Sequence, residues 1–211
     1  MSNSIDNLKW RYAVKKFDNN KIISDEKINI LKEAFNLTPT SYGLQPYKLV
    51  VLSNKELQQQ LVEHSWNQQQ VAQASHVFVI TVPTEITSED VEEYFKLVKK
   101  IRNTPDDVIK PFRDMLSNSL GSKSPEELFE WMKNQAYLAL GNLMTVAANE
   151  KIDSCPMEGF IPEKYDEILG LDKLNLRSVL VLPLGIRAED CFMKDLEKVR
   201  KKTEDIVIEL S

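Results

Sequence analysis

Apolar and polar positions along the chain alternate between a helical period and a strand period, and Gly, Pro and Ser mark most of the changes. Ser24, followed by Asp25 and Glu26, predicts a helix running to about Leu37, with acids at the positive end of its dipole and Pro39 as its stop. Pro39-Thr40-Ser41-Tyr42-Gly43-Leu44-Gln45-Pro46 reads as a loop, and Tyr47 to Leu52 as a strand. A helix from Lys55 to about Glu63 and another from near Asn67 follow. His76-Val77-Phe78-Val79-Ile80-Thr81-Val82 is the clearest strand and ends at Pro83. Residues 87–119 carry a charged helical pattern broken at Thr104-Pro105. Ser124-Pro125-Glu126-Glu127 combines a capping Ser, Pro at the first helical position and Glu three residues after the cap. The helix it opens runs to about Glu150 and is apolar on several faces, the pattern of a buried central helix. Pro162 to Gly170 is a further helix and Ser178 to Leu184 a buried strand. Asp205 to Leu210 alternates as a strand standing beyond the core elements; it needs an edge to pair with, and another subunit is one source of that edge. The predicted class is α+β, a small sheet wrapped by many helices.

Composition narrows this picture. With 211 residues the chain suits a single domain, residues 87–120 forming a helical excursion from it. Hydrophobic content of 42% and charged content of 28% are those of an ordinary globular protein, and a net charge of −5 argues against a general nucleic-acid binder. The longest apolar stretch, Ala136 to Ala148, is interrupted by Gly141, Asn142 and Thr145 and is too short for a membrane span. No secretion-signal pattern opens the chain, so a cytoplasmic location is expected. Cys155 and Cys191 are too few for a disulfide framework or a structural zinc site, and His64 and His76 lie in no metal-ligand pattern, so no metal is expected. The six glycines include no Gly-x-Gly pair, which removes the dinucleotide fingerprint and the P-loop.

Two stretches could carry chemistry. In Cys155-Pro156-Met157-Glu158-Gly159-Phe160, Pro156 fixes a backbone angle and Gly159 admits close approach of a flat ligand. The amides of Met157, Glu158 and Gly159 can then point one way, toward the acceptor atoms of a ring such as a flavin; the same spacing also makes an ordinary turn. Basic residues gather at both ends: Arg11, Lys15 and Lys16 near the start, and Lys198, Arg200, Lys201 and Lys202 near the finish. Either they cap solvated helix ends, or they converge on one phosphate, and spacing leaves both readings open.

Taken together these segments resemble the FMN-dependent nitroreductases. Arg11-Tyr12-Ala13-Val14-Lys15-Lys16-Phe17-Asp18 is similar to that family's Arg-x-Ser-x-Lys-x-Phe opening, and residues 39–46 to its Pro-Ser-Ser-x-x-x-Gln-Pro loop. Asn67, the Ala74-Ser75-His76 entry to a strand, Pro156-Met157-Glu158-Gly159-Phe160 and Lys198-x-Arg200 follow in the same order, so that the likeness spans residues 10–202. It is nearest to the oxygen-insensitive NAD(P)H nitroreductase and dihydropteridine reductase branch. The resemblance implies a homodimer with two shared, tightly but non-covalently held FMN sites, NADPH or NADH as reductant, and ping-pong two-electron reduction of nitroaromatics, quinones or similar flat acceptors. Dihydropteridine reduction on the same scaffold is an alternative; a flavin-binding protein without turnover is another, as is a colourless structural dimer.

Residue roles come with the resemblance. Arg11, Lys198 and Arg200 would hold the FMN phosphate, Tyr12 and Ala13 would lie around the ribityl chain, and Lys15 would sit beside N1 and O2 of the ring. Asn67 would bond the pyrimidine edge, with Gln70 nearby where relatives can carry lysine. Pro156 and Met157 would shape the loop whose Glu158 amide meets N5 and whose Gly159 reaches O4. Pro39, Thr40, Ser41 and Gly43 would come from the partner subunit, with Tyr42 and Phe112 facing the substrate. No side chain is expected to act as acid or base, and the Glu158 motif works through its main chain. Ala13 and Gln70 depart from the family pattern, and Gln70 predicts a more negative two-electron potential than in lysine-bearing relatives. Cys155 is expected to be a buried structural thiol without a cationic neighbour, His76 a packing residue, and Trp131 and Tyr137 parts of the core.

Overall fold

The computed structural model describes residues 3–210. Its centre is a four-stranded antiparallel sheet in the order β1-β2-β4-β3, made of β1 (Lys48–Leu52), β2 (His76–Pro83), β3 (Asp153–Ser154) and β4 (Leu176–Gly185). β2 pairs along its whole length with β4, His76 opposite Leu184 and Pro83 opposite Leu176, with a bulge at Ile80/Thr81. Its side chains alternate between the faces. Phe78, Ile80 and Val82 join the cluster beneath α2 (Asp25–Asn36) and α7 (Pro125–Asn149), while Val77 and Val79 join a second cluster on the other face. That second face is covered by α3 (Lys55–Leu61), α4 (Gln70–Gln73) and α8 (Pro162–Leu169). α5 (Ser88–Arg102) and α6 (Asp106–Gly121) form a hairpin with its own apolar cluster, joined to the body at Leu44, Ile86 and Trp131.

Local chemistry fixes the helix ends. Ser24 accepts from the Lys27 amide, and Thr87 and Ser124 each close a full capping box, with Asp90 and Glu127 respectively. Gly170 ends α8 in the left-handed region, φ 64°. The break between α5 and α6 falls at Thr104-Pro105, as the pattern predicts.

Several boundaries differ from the sequence reading. Tyr47 lies outside β1, because its amide bonds the Gln45 carbonyl at 2.7 Å in a turn that carries Gln45 at φ 50°. The helix from Lys55 stops at Leu61, and Trp66 and Asn67, at φ 55° and 59°, turn the chain before α4 begins at Gln70. α1 (Asn3–Trp10) has no strong pattern of its own; buried Asn7 pins it to Asn149 at the end of α7, 2.8 Å away. Residues 205–210 form no strand in the single chain: a short 3-10 turn ends at Asp205, and Ile206, Val207, Ile208 and Leu210 are exposed without a sheet edge. Tyr137 and Leu138 are exposed on α7 rather than part of the core, while Trp131 is half-buried between two clusters. Among the described residues no helix is long and apolar enough to cross a membrane.

Candidate functional site

The stretch 153–157 lies along the edge of β4, residues 13 and 14 pair in turn with Ser154, and residues 16–18 pair with residues 186–188. The Cys155 amide bonds the Pro183 carbonyl at 3.1 Å, the Met157 amide bonds Val181 at 2.8 Å, and Ala13 bridges to Ser154. Met157 therefore spends its N–H on the sheet, which corrects the expectation that three successive amides share one direction. The N–H groups of Glu158 and Gly159 have no acceptor among the described residues. Gly159 is closely packed: a Cβ there would meet the Trp66 ring at 2.8 Å and the Gln68 amide nitrogen at 3.2 Å, so that a side chain there would have to displace them. Asn67 is exposed, following Trp66 in the left-handed region.

The cations from the two ends come together. The Arg11 guanidinium is held below its ordinary pKa by burial and by Arg200, and the Lys198 ammonium by desolvation and by Arg11, Arg200 and Arg187. Among the described residues none of Arg11, Lys15, Lys198 or Arg200 is in an ion pair. The Nε of Arg11 is buried with no hydrogen-bond partner. A buried guanidinium N–H without an acceptor, facing further cations, is a costly arrangement for a chain alone and one that an anion relieves.

Beside this cluster Lys15 Nζ lies 3.6 Å from Cys155 Sγ, so the thiol does have a cationic neighbour, contrary to expectation. Burial nonetheless dominates and pushes the thiol up, with Lys15 and Gln70 opposing. Gln70 is buried; its Nε2 donates toward Cys155 Sγ at 3.8 Å and to Gln68 Oε1 at 2.9 Å. The motifs do not reveal a second frame. Arg187 stacks over Trp10 and Tyr12, 4.3 and 4.5 Å from their ring centroids, and its Nε donates to buried Asp153 at 2.8 Å. Burial raises the Tyr12 hydroxyl beside Cys191. Trp10 beside the Arg11 motif was the available signal, and only long-range pairing brings Arg187 and Asp153 to it.

The remaining predicted residues form a separate group. Thr40 Oγ1 accepts from the Gln45 amide at 3.1 Å, and the Ser41 amide donates to Gln135 Oε1 at 2.8 Å. Pro39 is exposed at the head of this loop. Tyr42 and Gly43 are left-handed, φ 62° and 74°, and a Cβ on Gly43 would lie 2.9 Å from the Tyr94 hydroxyl. The half-exposed Tyr42 and Phe112 rings lie 6.0 Å apart, with Trp131 6.4 Å from Tyr42. Central helix α7 separates the two groups. Gln135 supports Ser41, whereas Tyr137, two positions on and therefore about 200° round the helix, donates to Glu158 Oε1 at 2.5 Å. Burial and that carboxylate push the Tyr137 hydroxyl up to about 12. No hydrogen bond or ring contact joins the two groups among the described residues. A groove of about 790 Å³ runs beside β1, with Leu44, Pro46, Lys48, Val51, Pro83 and Tyr94 in its walls.

Comparison with known proteins places these features in context. The sequence profile described as "Nitroreductase family" matches residues 8–186. A protein of Staphylococcus epidermidis provisionally named an NAD(P)H nitroreductase is 36% identical over 211 residues, covering 96% of this chain and 94% of the relative. YfkO of Bacillus subtilis, provisionally named in the same way, is 34% identical over 214 residues, with 96% and 95% covered. Among solved structures, a nitroreductase-like protein of Exiguobacterium sibiricum in complex with FMN has a TM-score of 0.84 at 22% identity, covering 100% of this chain and 98% of the other. The B. subtilis protein ydfN has a TM-score of 0.87 at 18% identity, with 98% of each chain covered, and shares the fold.

Proposed function

Because the chain belongs to the nitroreductase family, we propose that this oxidoreductase binds FMN and uses NADPH or NADH to reduce nitroaromatics, quinones or similar flat acceptors. The observation that carries this reading is the buried, unpartnered Nε of Arg11 facing Arg200 and Lys198. Cations drawn from both ends of a chain of net charge −5 fit a phosphate, since Asp153, the carboxylate that acts on Arg11, is already paired with Arg187. The Glu158 and Gly159 amides beyond them fit the acceptor edge of a flat ring.

Arg11, Lys198 and Arg200 would hold the phosphate, and Tyr12 and Ala13 would line the chain that joins it to the ring. Lys15 would set a fixed positive charge at the pyrimidine end, which Asn67 would also meet, with Gln70 behind Lys15 through Cys155. A positive charge in a partly desolvated pocket is worth several times its value in water. Pro156 and the Met157–Val181 pairing hold the Glu158 and Gly159 amides in place. FMN, when bound, supplies the two-electron transfer between nicotinamide and acceptor, and the protein supplies position and electrostatics.

The partner subunit would complete the site. Pro39, Thr40, Ser41 and Gly43, with Tyr42 and Phe112 as the aromatic cover, stand on the other flank of α7, so a two-fold contact can bring one chain's loop to its partner's cations. The purified protein is expected to be yellow, with its flavin bleached by anaerobic addition of NADPH or NADH. A colourless protein that takes up no FMN would remove the reading; a yellow protein that neither nicotinamide bleaches would make it a binder without turnover.

A further inference from the structure

The cation end and the amide end of the proposed pocket are joined by a continuous run of side chains. Lys15 Nζ lies 3.6 Å from Cys155 Sγ, which also accepts from Gln70 Nε2 at 3.8 Å. Gln70 Nε2 donates its other proton to Gln68 Oε1 at 2.9 Å, and Gln68 Nε2 donates to the Gly159 carbonyl at 3.1 Å. Every link has a reason to be there. Gln70 is 4% exposed, so both its amide protons need acceptors inside the protein. Cys155 is fully buried and offers its sulfur to two donors at once. Gln68 is mounted on a tight turn, its own amide bonded to Ser65 at 3.0 Å, immediately after the left-handed Trp66 and Asn67.

We propose that Gln68 and Gln70 are positioning residues that tie Lys15 to the Gly159 peptide through Cys155, making the two ends of the pocket one unit. The proposal rests on the flavin reading given above. Lys15 carries its charge on a flexible stem, and such a charge acts fully only where its position is fixed. Gly159 needs its carbonyl held if the neighbouring amides are to keep one direction. A chain of hydrogen bonds in a poorly hydrated interior does both, and removing any member loosens the others. Gln70 thus serves the site from behind, through Cys155 and Gln68.

Gln68→Met and Gln70→Met keep side-chain length and remove the hydrogen bonds. The two variants and their double are compared with wild type for FMN dissociation constant, two-electron midpoint potential and Tm. Each single variant is expected to weaken FMN binding about three- to tenfold and to lower the potential, and the double variant to do no more than the worse single, since contacts in one network are non-additive. Additive effects in the double variant would overturn the relay, because they mark two independent contacts. So would a lowered Tm with unchanged affinity and potential. Gln68 is only half-buried, so Gln68→Met alone decides through affinity and potential if Gln70→Met does not fold. A wild type that binds no FMN would instead overturn the flavin reading itself.

Discussion

At the scale of single residues, the Arg11 guanidinium shows how stability and binding can oppose each other. Its charge is disfavoured by burial and by Arg200, and its Nε lacks an acceptor. Arg11→Met is therefore expected to raise the Tm of the flavin-free protein while weakening FMN binding. A charge-assisted hydrogen bond is worth about 1.5–3 kcal/mol, which corresponds to roughly tenfold to hundredfold in dissociation constant. Calorimetry of the flavin-free variant and fluorescence titration with FMN read the two signs separately; unchanged affinity would remove Arg11 from the phosphate site. Arg200→Ala should weaken FMN in the same range. Gln70→Lys adds a positive charge next to the Lys15–Cys155 pair and is expected to raise the two-electron potential, by roughly 2 kcal/mol of Coulomb energy for a charge several ångströms away; potentiometry beside wild type checks the sign. The motif residues were legible because Arg11, Lys198, Arg200 and residues 156–159 stand in family order. The Lys15–Cys155 contact, the Arg187–Asp153 pair and the Met157 amide bonded to Val181 were not, since each joins residues distant in sequence or decided by strand pairing.

At the scale of elements, β2 begins at a titratable residue. Burial and the nearby Lys55 hold the His76 pKa below 6.5, with Asp25 opposing and Lys32 assisting, and Ser75 Oγ lies 2.9 Å from Nδ1. Unfolded chains take up the proton near pH 6.5 and the folded chain only lower, so this group's stabilisation is present above pH 6.5 and is lost as pH falls toward the folded pKa. The slope is at most about 1.4 kcal/mol per pH unit. Denaturant melts of wild type and His76→Asn between pH 7.5 and 5 are expected to differ in slope, wild type falling more steeply; parallel curves would contradict the shift. Glycine positions give a second element-level contrast. A Cβ at Gly185, where β4 meets β3, would lie 2.6 Å from the Phe17 ring, so Gly185→Ala should cost about 1–3 kcal/mol. Gly121, in the last turn of α6, has nothing within 4 Å of that position, and Gly121→Ala should stabilise by about 0.5–1 kcal/mol. Elements with strong local signals, the box at Ser124 and the β2 run, were legible almost to the residue. α1 and the two-residue β3 were not, because tertiary pairing at Asn7–Asn149 and along β4 creates them.

At the scale of the whole molecule, the single chain leaves apolar surface that a monomer has no means to cover. Ile208 is 87% exposed and Leu210 94%, in the segment whose alternation reads as a strand. Burying those two side chains alone is worth about 3–6 kcal/mol. β1 is an edge strand with a groove of about 790 Å³ beside it, the kind of site at which an extended segment adds to a sheet. On α7, Tyr137, which donates to Glu158, and Leu138 are exposed. A homodimer in which each tail lies on its partner's β1 edge would cover these surfaces and join the two groups. It would also explain why an alternating segment forms no strand in the single chain: the pattern is local, whereas its pairing edge lies outside the molecule. Sedimentation of the wild type is therefore expected to give a species of twice 24.3 kDa. A variant ending at Lys202 retains Arg11, Lys198 and Arg200 yet loses the tail. It should dissociate toward monomer, melt lower and hold FMN at least tenfold more weakly, because in the proposed dimer Pro39, Thr40, Ser41 and Gly43 would no longer reach the partner's cations. A truncated protein that stays dimeric with wild-type FMN affinity would show that the tail has no part in the assembly, and a wild type that sediments as a yellow monomer would place the whole pocket within one chain.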